Sequence, residues 1–90
     1  MERIHLIVHG VVQGVGFRYH TREAAAQLGL TGLVKNRPDG TVAIVAEGAP
    51  SALHQFLAWA KQGPPAAHVT QVDITHGPAN GEFSQFTIER

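Results

Sequence analysis

Apolar and polar positions along the chain change their period several times, and each change marks an element. Ile4, Leu6 and Val8 alternate with His5, Ile7 and His9, which predicts a strand from about 3 to 10 with the two sets on opposite faces. From Tyr19 to Leu28 the spacing lengthens: Thr21, Ala24, Ala25 and Leu28 recur at helical intervals, and Gly29 supplies a stop. Strand character returns over Thr31 to Asn36 and again over Thr41 to Glu47, where Val42, Ile44 and Ala46 alternate with Ala43, Val45 and Glu47. Between them, Arg37-Pro38-Asp39-Gly40 has the residue order of a tight turn, so these two strands form a hairpin. Pro50 suits the first turn of a second helix, whose Leu53, Phe56, Leu57 and Ala60 fall at i, i+3, i+4 and i+7 until Gly63-Pro64-Pro65 ends it. Val69 to Thr75 reads as a fourth strand, Gly77-Pro78-Ala79-Asn80-Gly81 as a loop, and Phe83 to Glu89 as a short last strand.

The order β-α-β-β-α-β plus a short C-terminal strand, with helices of only ten or so residues, predicts a two-layer α+β sandwich of the ferredoxin-like type. Its sheet is expected to be mainly antiparallel, with both helices on one face. Ninety residues suffice for one small domain spanning 1–90 and for no second one.

Charge and composition exclude more than they assert. Seven acidic residues balance seven basic ones, so the net charge is zero with histidine neutral, and there is no clustered positive field to attract nucleic acid or an anionic membrane. The chain has no cysteine, which rules out disulfides and a thiol nucleophile. Residues 1 to 20 hold neither the apolar core nor the cleavage site of a secretion signal, and no apolar run approaches a membrane span, so a cytoplasmic monomer is expected.

The chemistry concentrates where the first strand meets the first helix. Gly10-Val11-Val12-Gln13-Gly14-Val15-Gly16-Phe17-Arg18 places three glycines and one arginine at a helix entrance. Glycines tolerate positive φ and offer no side chain to block a ligand, so backbone N–H groups can converge there and, with the helix dipole, hold an anion. The planar fork of Arg18 can take two phosphate oxygens at once. The Rossmann and Walker patterns both fail, for want of a third correctly spaced glycine and of Gly-Lys-Ser/Thr. From this turn alone two readings stay open: an anion cradle, or a tight connection beside a solvated cation. Phe17 reads as a core anchor in either case.

Two motifs resolve that choice by resemblance. Gly10-x-x-Gln13-Gly14-Val15-Gly16-Phe17-Arg18 resembles the first signature of the acylphosphatases, and Gly32-x-Val34-x-Asn36-x-x-Asp39-Gly40-x-Val42 resembles their second. The Gly63-Pro64-Pro65 stretch and the closing Gly81-Glu82-Phe83-x-x-Phe86 are also similar, so the likeness covers essentially the whole chain. The resemblance implies a hydrolase that cleaves the carboxyl-phosphate bond of acyl phosphates, releasing carboxylate and inorganic phosphate. It implies that Arg18 and the amides of Gln13, Gly14, Val15, Gly16, Phe17 and Arg18 hold the phosphate, and that Asn36 positions the attacking water. Without it, Asn36 reads as a turn-initiating residue, and nothing in the spacing brings it to Arg18.

That division of labour suits the chemistry. Phosphoryl transfer depends on positioning and on stabilising the equatorial oxygens, and an acyl phosphate already has a good leaving group, so neither cofactor nor metal is expected. The six histidines show no ligand spacing; His5 and His9 share a strand face but lie about 13 Å apart. No pair of carboxylates suggests acid/base work, and Asp39 reads as shaping the turn with Gly40. An RNA-binding module on this fold would stack bases on aromatic residues of its central strands, and IHLIVHG and TVAIVAE contain none. The alternative that the fold alone leaves open is a non-catalytic anion or small-molecule sensor.

Overall fold

The computed structural model describes residues 1–89. Five strands and two helices follow in the order β1 (Glu2–Val11), α1 (Phe17–Gln27), β2 (Thr31–Asn36), β3 (Val42–Gly48), α2 (Pro50–Gln62), β4 (His68–Pro78) and β5 (Phe86–Glu89). They form one sheet in the order β4-β1-β3-β2-β5. β1 pairs antiparallel with β3 and β4, β2 pairs antiparallel with β3, and only β5 lies parallel to its neighbour β2. This is the ferredoxin-like sandwich that the period changes predict, and the terminal strand extends it at the β2 edge.

Alternation sorts the side chains as expected. Ile4, Leu6 and Val8 of β1 and Val42, Ile44 and Ala46 of β3 are buried against the helices. Phe17, Thr21 and Ala25 of α1 and Leu53, Phe56 and Ala60 of α2 close the core from above. Phe56 packs on Trp59 and Phe86, each 6.1 Å between ring centroids, and Phe17 meets Trp59 at 5.6 Å. Burying one such ring stabilises the fold by about 1.5–3 kcal/mol relative to leaving it in water. Trp59 therefore serves packing, and the Phe17 ring is core rather than site. The buried Thr21 hydroxyl donates to Phe17 O at 2.7 Å, which removes the penalty of placing a polar group there.

Element ends depart from the expectation in three places. α1 begins at Phe17, two residues before the periodicity suggests, because Gly16 at φ 75° forms its N-cap. Arg18 thus belongs to the first helical turn. β4 runs on through Gly77 and Pro78, which was expected to be loop; β4 is an edge strand bonded only to β1, where a proline's missing N–H costs little. β5 starts at Phe86 rather than Phe83, because residues 79–85 are spent carrying the chain from the β4 edge to the β2 edge.

That crossing is pinned by charge. Glu47, on the open face of β3 and only 3% exposed, accepts from Arg3 Nε at 2.7 Å and from the amides of Asn80 and Gly81, each at 3.2 Å. Arg3 also pairs with Glu82 and lies over the Phe83 ring at 5.4 Å. Burial pushes the Glu47 carboxyl up, but the hydrogen bonds from Arg3, Asn80 and Gly81 outweigh it and leave the group below its ordinary value.

Candidate active site

The antiparallel register brings the C-terminal ends of β1 and β2 to the same end of the sheet. Val8 pairs with Val42, and Asn36 pairs with the same Val42 from the other side. The glycine loop leaving β1 therefore arrives beside the last residue of β2. A cavity of about 450 Å³ opens between them, lined on one side by Gly14, Gly16, Phe17 and Arg18 and on the other by Asn36. Arg18 and Asn36, which the sequence could not bring together, line the same cavity. Val12, Tyr19, Arg22 and Ile88 complete the lining.

Local backbone chemistry shapes the loop. Gly14 and Gly16 take φ of 73° and 75°, a left-handed conformation that side chains disfavour, and they flank Val15. Two left-handed residues on either side of an ordinary one curl the chain, so successive N–H groups can turn toward one point ahead of the helix. No side-chain cap occupies the start of α1, which leaves its first amides for an approaching anion.

Gln13 does something the sequence did not reveal. Its Nε2 donates to Arg37 O at 2.8 Å and to Thr41 O at 2.9 Å. These carbonyls bracket the β2–β3 turn, where Arg37 N also donates to Thr41 O, and Asp39 accepts from the Thr41 hydroxyl and amide. Those Thr41 hydrogen bonds hold the Asp39 carboxyl below its ordinary value. Gln13 thus staples the glycine loop to the hairpin that carries Asn36. Its side chain and that of Val15, which packs at the margin of the core, do not line the cavity.

The polar groups of the residues that line the cavity are unevenly satisfied. Arg18 Nη1 makes one long hydrogen bond, 3.3 Å to Glu89 O, and among the described residues it has no carboxylate partner. Asn36 Oδ1 is buried and accepts no hydrogen bond. An acceptor held away from solvent without a donor costs stability, so its retention beside a cavity is a sign of use. His20 lies against Tyr19, ring centroids 5.4 Å apart, and its ring is 3.6 Å from where a Cβ on Gly16 would sit. Among the described residues no three histidine, aspartate or glutamate side chains are grouped to hold a metal ion, and no helix is long and apolar enough to cross a membrane.

Comparison with known proteins gives one consistent result. A family model described as acylphosphatase matches residues 4–88. An acylphosphatase of Methylococcus capsulatus is 46% identical over 90 residues, spanning 100% of this chain and 98% of that one. One from Thiobacillus denitrificans is 48% identical over 86 residues, spanning 96% and 94%. In structure, the chain superposes on a crystal structure of an acylphosphatase from Bacillus subtilis with a TM-score of 0.96, at 41% identity and 100% coverage of both chains.

Proposed function

We infer that this chain, which belongs to the acylphosphatase family and hydrolyses the carboxyl-phosphate bond of acyl phosphates, divides the work between two residues. Arg18 and the amides of the Gln13 to Arg18 loop hold the phosphoryl group, and Asn36 positions the water that attacks it. The observation that carries this reading is that one cavity is lined by both Arg18 and Asn36, the latter with an Oδ1 that has no hydrogen-bond partner.

The step follows from that placement. The phosphoryl oxygens face the curled loop and the Arg18 fork, which stabilise charge on the equatorial positions without having to reorganise. A water that donates one proton to Asn36 Oδ1 keeps a lone pair aimed at phosphorus. Its oxygen bonds to phosphorus while the bond from phosphorus to the acyl oxygen breaks, with the electron pair leaving on the carboxylate. The second water proton passes to a phosphoryl oxygen, because among the described residues no carboxylate or histidine lines the cavity to take it. Inorganic phosphate and a carboxylate result. The departing group is a weak base, so the reaction needs no general acid and no metal.

Action as a monomer and a cytoplasmic location are parts of the same proposal. The experiment that tests the reading is hydrolysis of benzoyl phosphate in excess chelator. Turnover well above background is expected; turnover abolished by chelation overturns the metal-free mechanism, and none under any condition favours the sensing alternative.

A further inference from the structure

The cavity is wider than one phosphoryl group, and the wall beyond the glycine loop carries a second cation. Arg22 follows Arg18 by four residues in α1, so the two project from one helix face about 6 Å apart along the axis. Both line the cavity, and among the described residues no carboxylate does. The Arg22 guanidinium lies 5.5 Å from the centre of the Tyr19 ring, a cation-π contact that holds it at the mouth. Its other contact is a loose one through Nε, 3.9 Å from Glu23 Oε2, with side chains 41% and 51% exposed. At that exposure such a pair contributes little, and among the described residues the terminal nitrogens of the fork make no hydrogen bond or ion pair.

We propose that Arg22 forms a subsite for a negatively charged acyl group, so that this protein prefers acyl phosphates whose acyl portion bears a second anion, a carboxylate or a phosphate. The proposal rests on the assignment of the phosphoryl group to Arg18 and the glycine loop. With the phosphoryl group fixed there, the acyl chain runs along α1, and a second anion one helical turn away reaches the Arg22 fork. A neutral acyl group meets only Tyr19 and Ile88 and leaves Arg22 in water. Since the whole chain has zero net charge, the attraction is local to this pair of arginines and is not a general field.

The test compares 4-carboxybenzoyl phosphate with 4-methylbenzoyl phosphate, which share the ring and the scissile bond and differ in the distal charge. The ratio of their kcat/KM values in the wild type should fall roughly tenfold in Arg22→Gln and further in Arg22→Glu, with most of the change in KM. Added salt should lower the wild-type ratio and leave that of Arg22→Gln nearly constant. A ratio equal in all three proteins overturns the proposal. Hydrolysis of each substrate, followed in the same preparations, keeps the outcomes distinct: if the wild type cleaves neither, the proposed function itself falls, and if it cleaves either, only the Arg22 assignment is at stake.

Discussion

The two ends of the sheet treat an arginine in opposite ways. At the end where β1 begins, Arg3 is bound by Glu47 and Glu82, and Glu47 also gathers the amides of Asn80 and Gly81. At the end where β1 finishes, Arg18 meets only a distant carbonyl, and Asn36 Oδ1 has no donor at all. Both ends must manage a chain that leaves the sheet and crosses to another element. One does it by pairing its charged groups. The other does it with glycines and the side-chain amide of Gln13, and leaves its cation and its acceptor largely unpaired. Saturation marks the end that holds the fold together, and its absence marks the end to which we assign the chemistry.

The largest expected effect breaks the open end. Arg18→Ala should lower kcat/KM roughly a thousandfold or more and weaken competition by inorganic phosphate, while the melting temperature stays near that of the wild type. Asn36→Ala should reduce kcat roughly a hundredfold with phosphate still competing. Its stability should not fall, because truncation removes a buried oxygen that no donor satisfies. A destabilised Asn36→Ala with normal turnover would erase the contrast between the two ends.

Glu47→Ala addresses the closed end and should do the reverse. It takes from Arg3 its buried carboxylate partner and strands two amides, so the melting temperature should drop by roughly 5 °C or more while kcat/KM stays within about twofold of wild type. Acid should find the same weakness. Glu47, Glu82, Asp39 and Asp73 all have carboxyls held below their ordinary values, Glu82 chiefly by Arg3 and Asp73 by Gln71 and then His9. A group whose value is lower folded than unfolded contributes stability that is complete above the unfolded value and is lost as pH falls through the folded one. Thermal stability should therefore hold from about pH 5 to 7 and decline below about pH 4. In Glu47→Gln that decline should be shallower, starting from a lower plateau. The smallest effect is expected from Gln13→Ala, which cuts the staple between loop and hairpin and should lower kcat/KM about three- to tenfold through misplacement of Asn36.

These contrasts also show where sequence reasoning reached its limit. The alternation of Ile4, Leu6 and Val8 and the helical spacing of Leu53, Phe56 and Ala60 identify buried faces because water excludes them wherever the chain goes. The glycine loop was legible for a related reason, since positive φ at Gly14 and Gly16 is a local demand that only glycine meets cheaply. Gln13 was legible as part of a motif but not in its task, because its partners Arg37 and Thr41 lie 24 and 28 residues away and are backbone carbonyls, which every residue has. Arg22 stood in plain view four residues after Arg18. Nothing local distinguishes a cation facing a cavity from one facing water.

Periodicity, turn chemistry and the two glycine-bearing motifs by themselves determined a β-α-β-β-α-β chain with a closing strand, its core, and a glycine turn with Arg18 at a helix entrance, the cradle we propose for the phosphoryl group. These are short-range consequences of dihedral freedom and of which side chains water rejects. Only the tertiary structure decided that Asn36 faces that cradle, that Gln13 fixes the distance between them, and that Glu47 locks the far end. Each of these depends on strand register, and register sums weak pairings over the whole sheet, so no short window of sequence contains it.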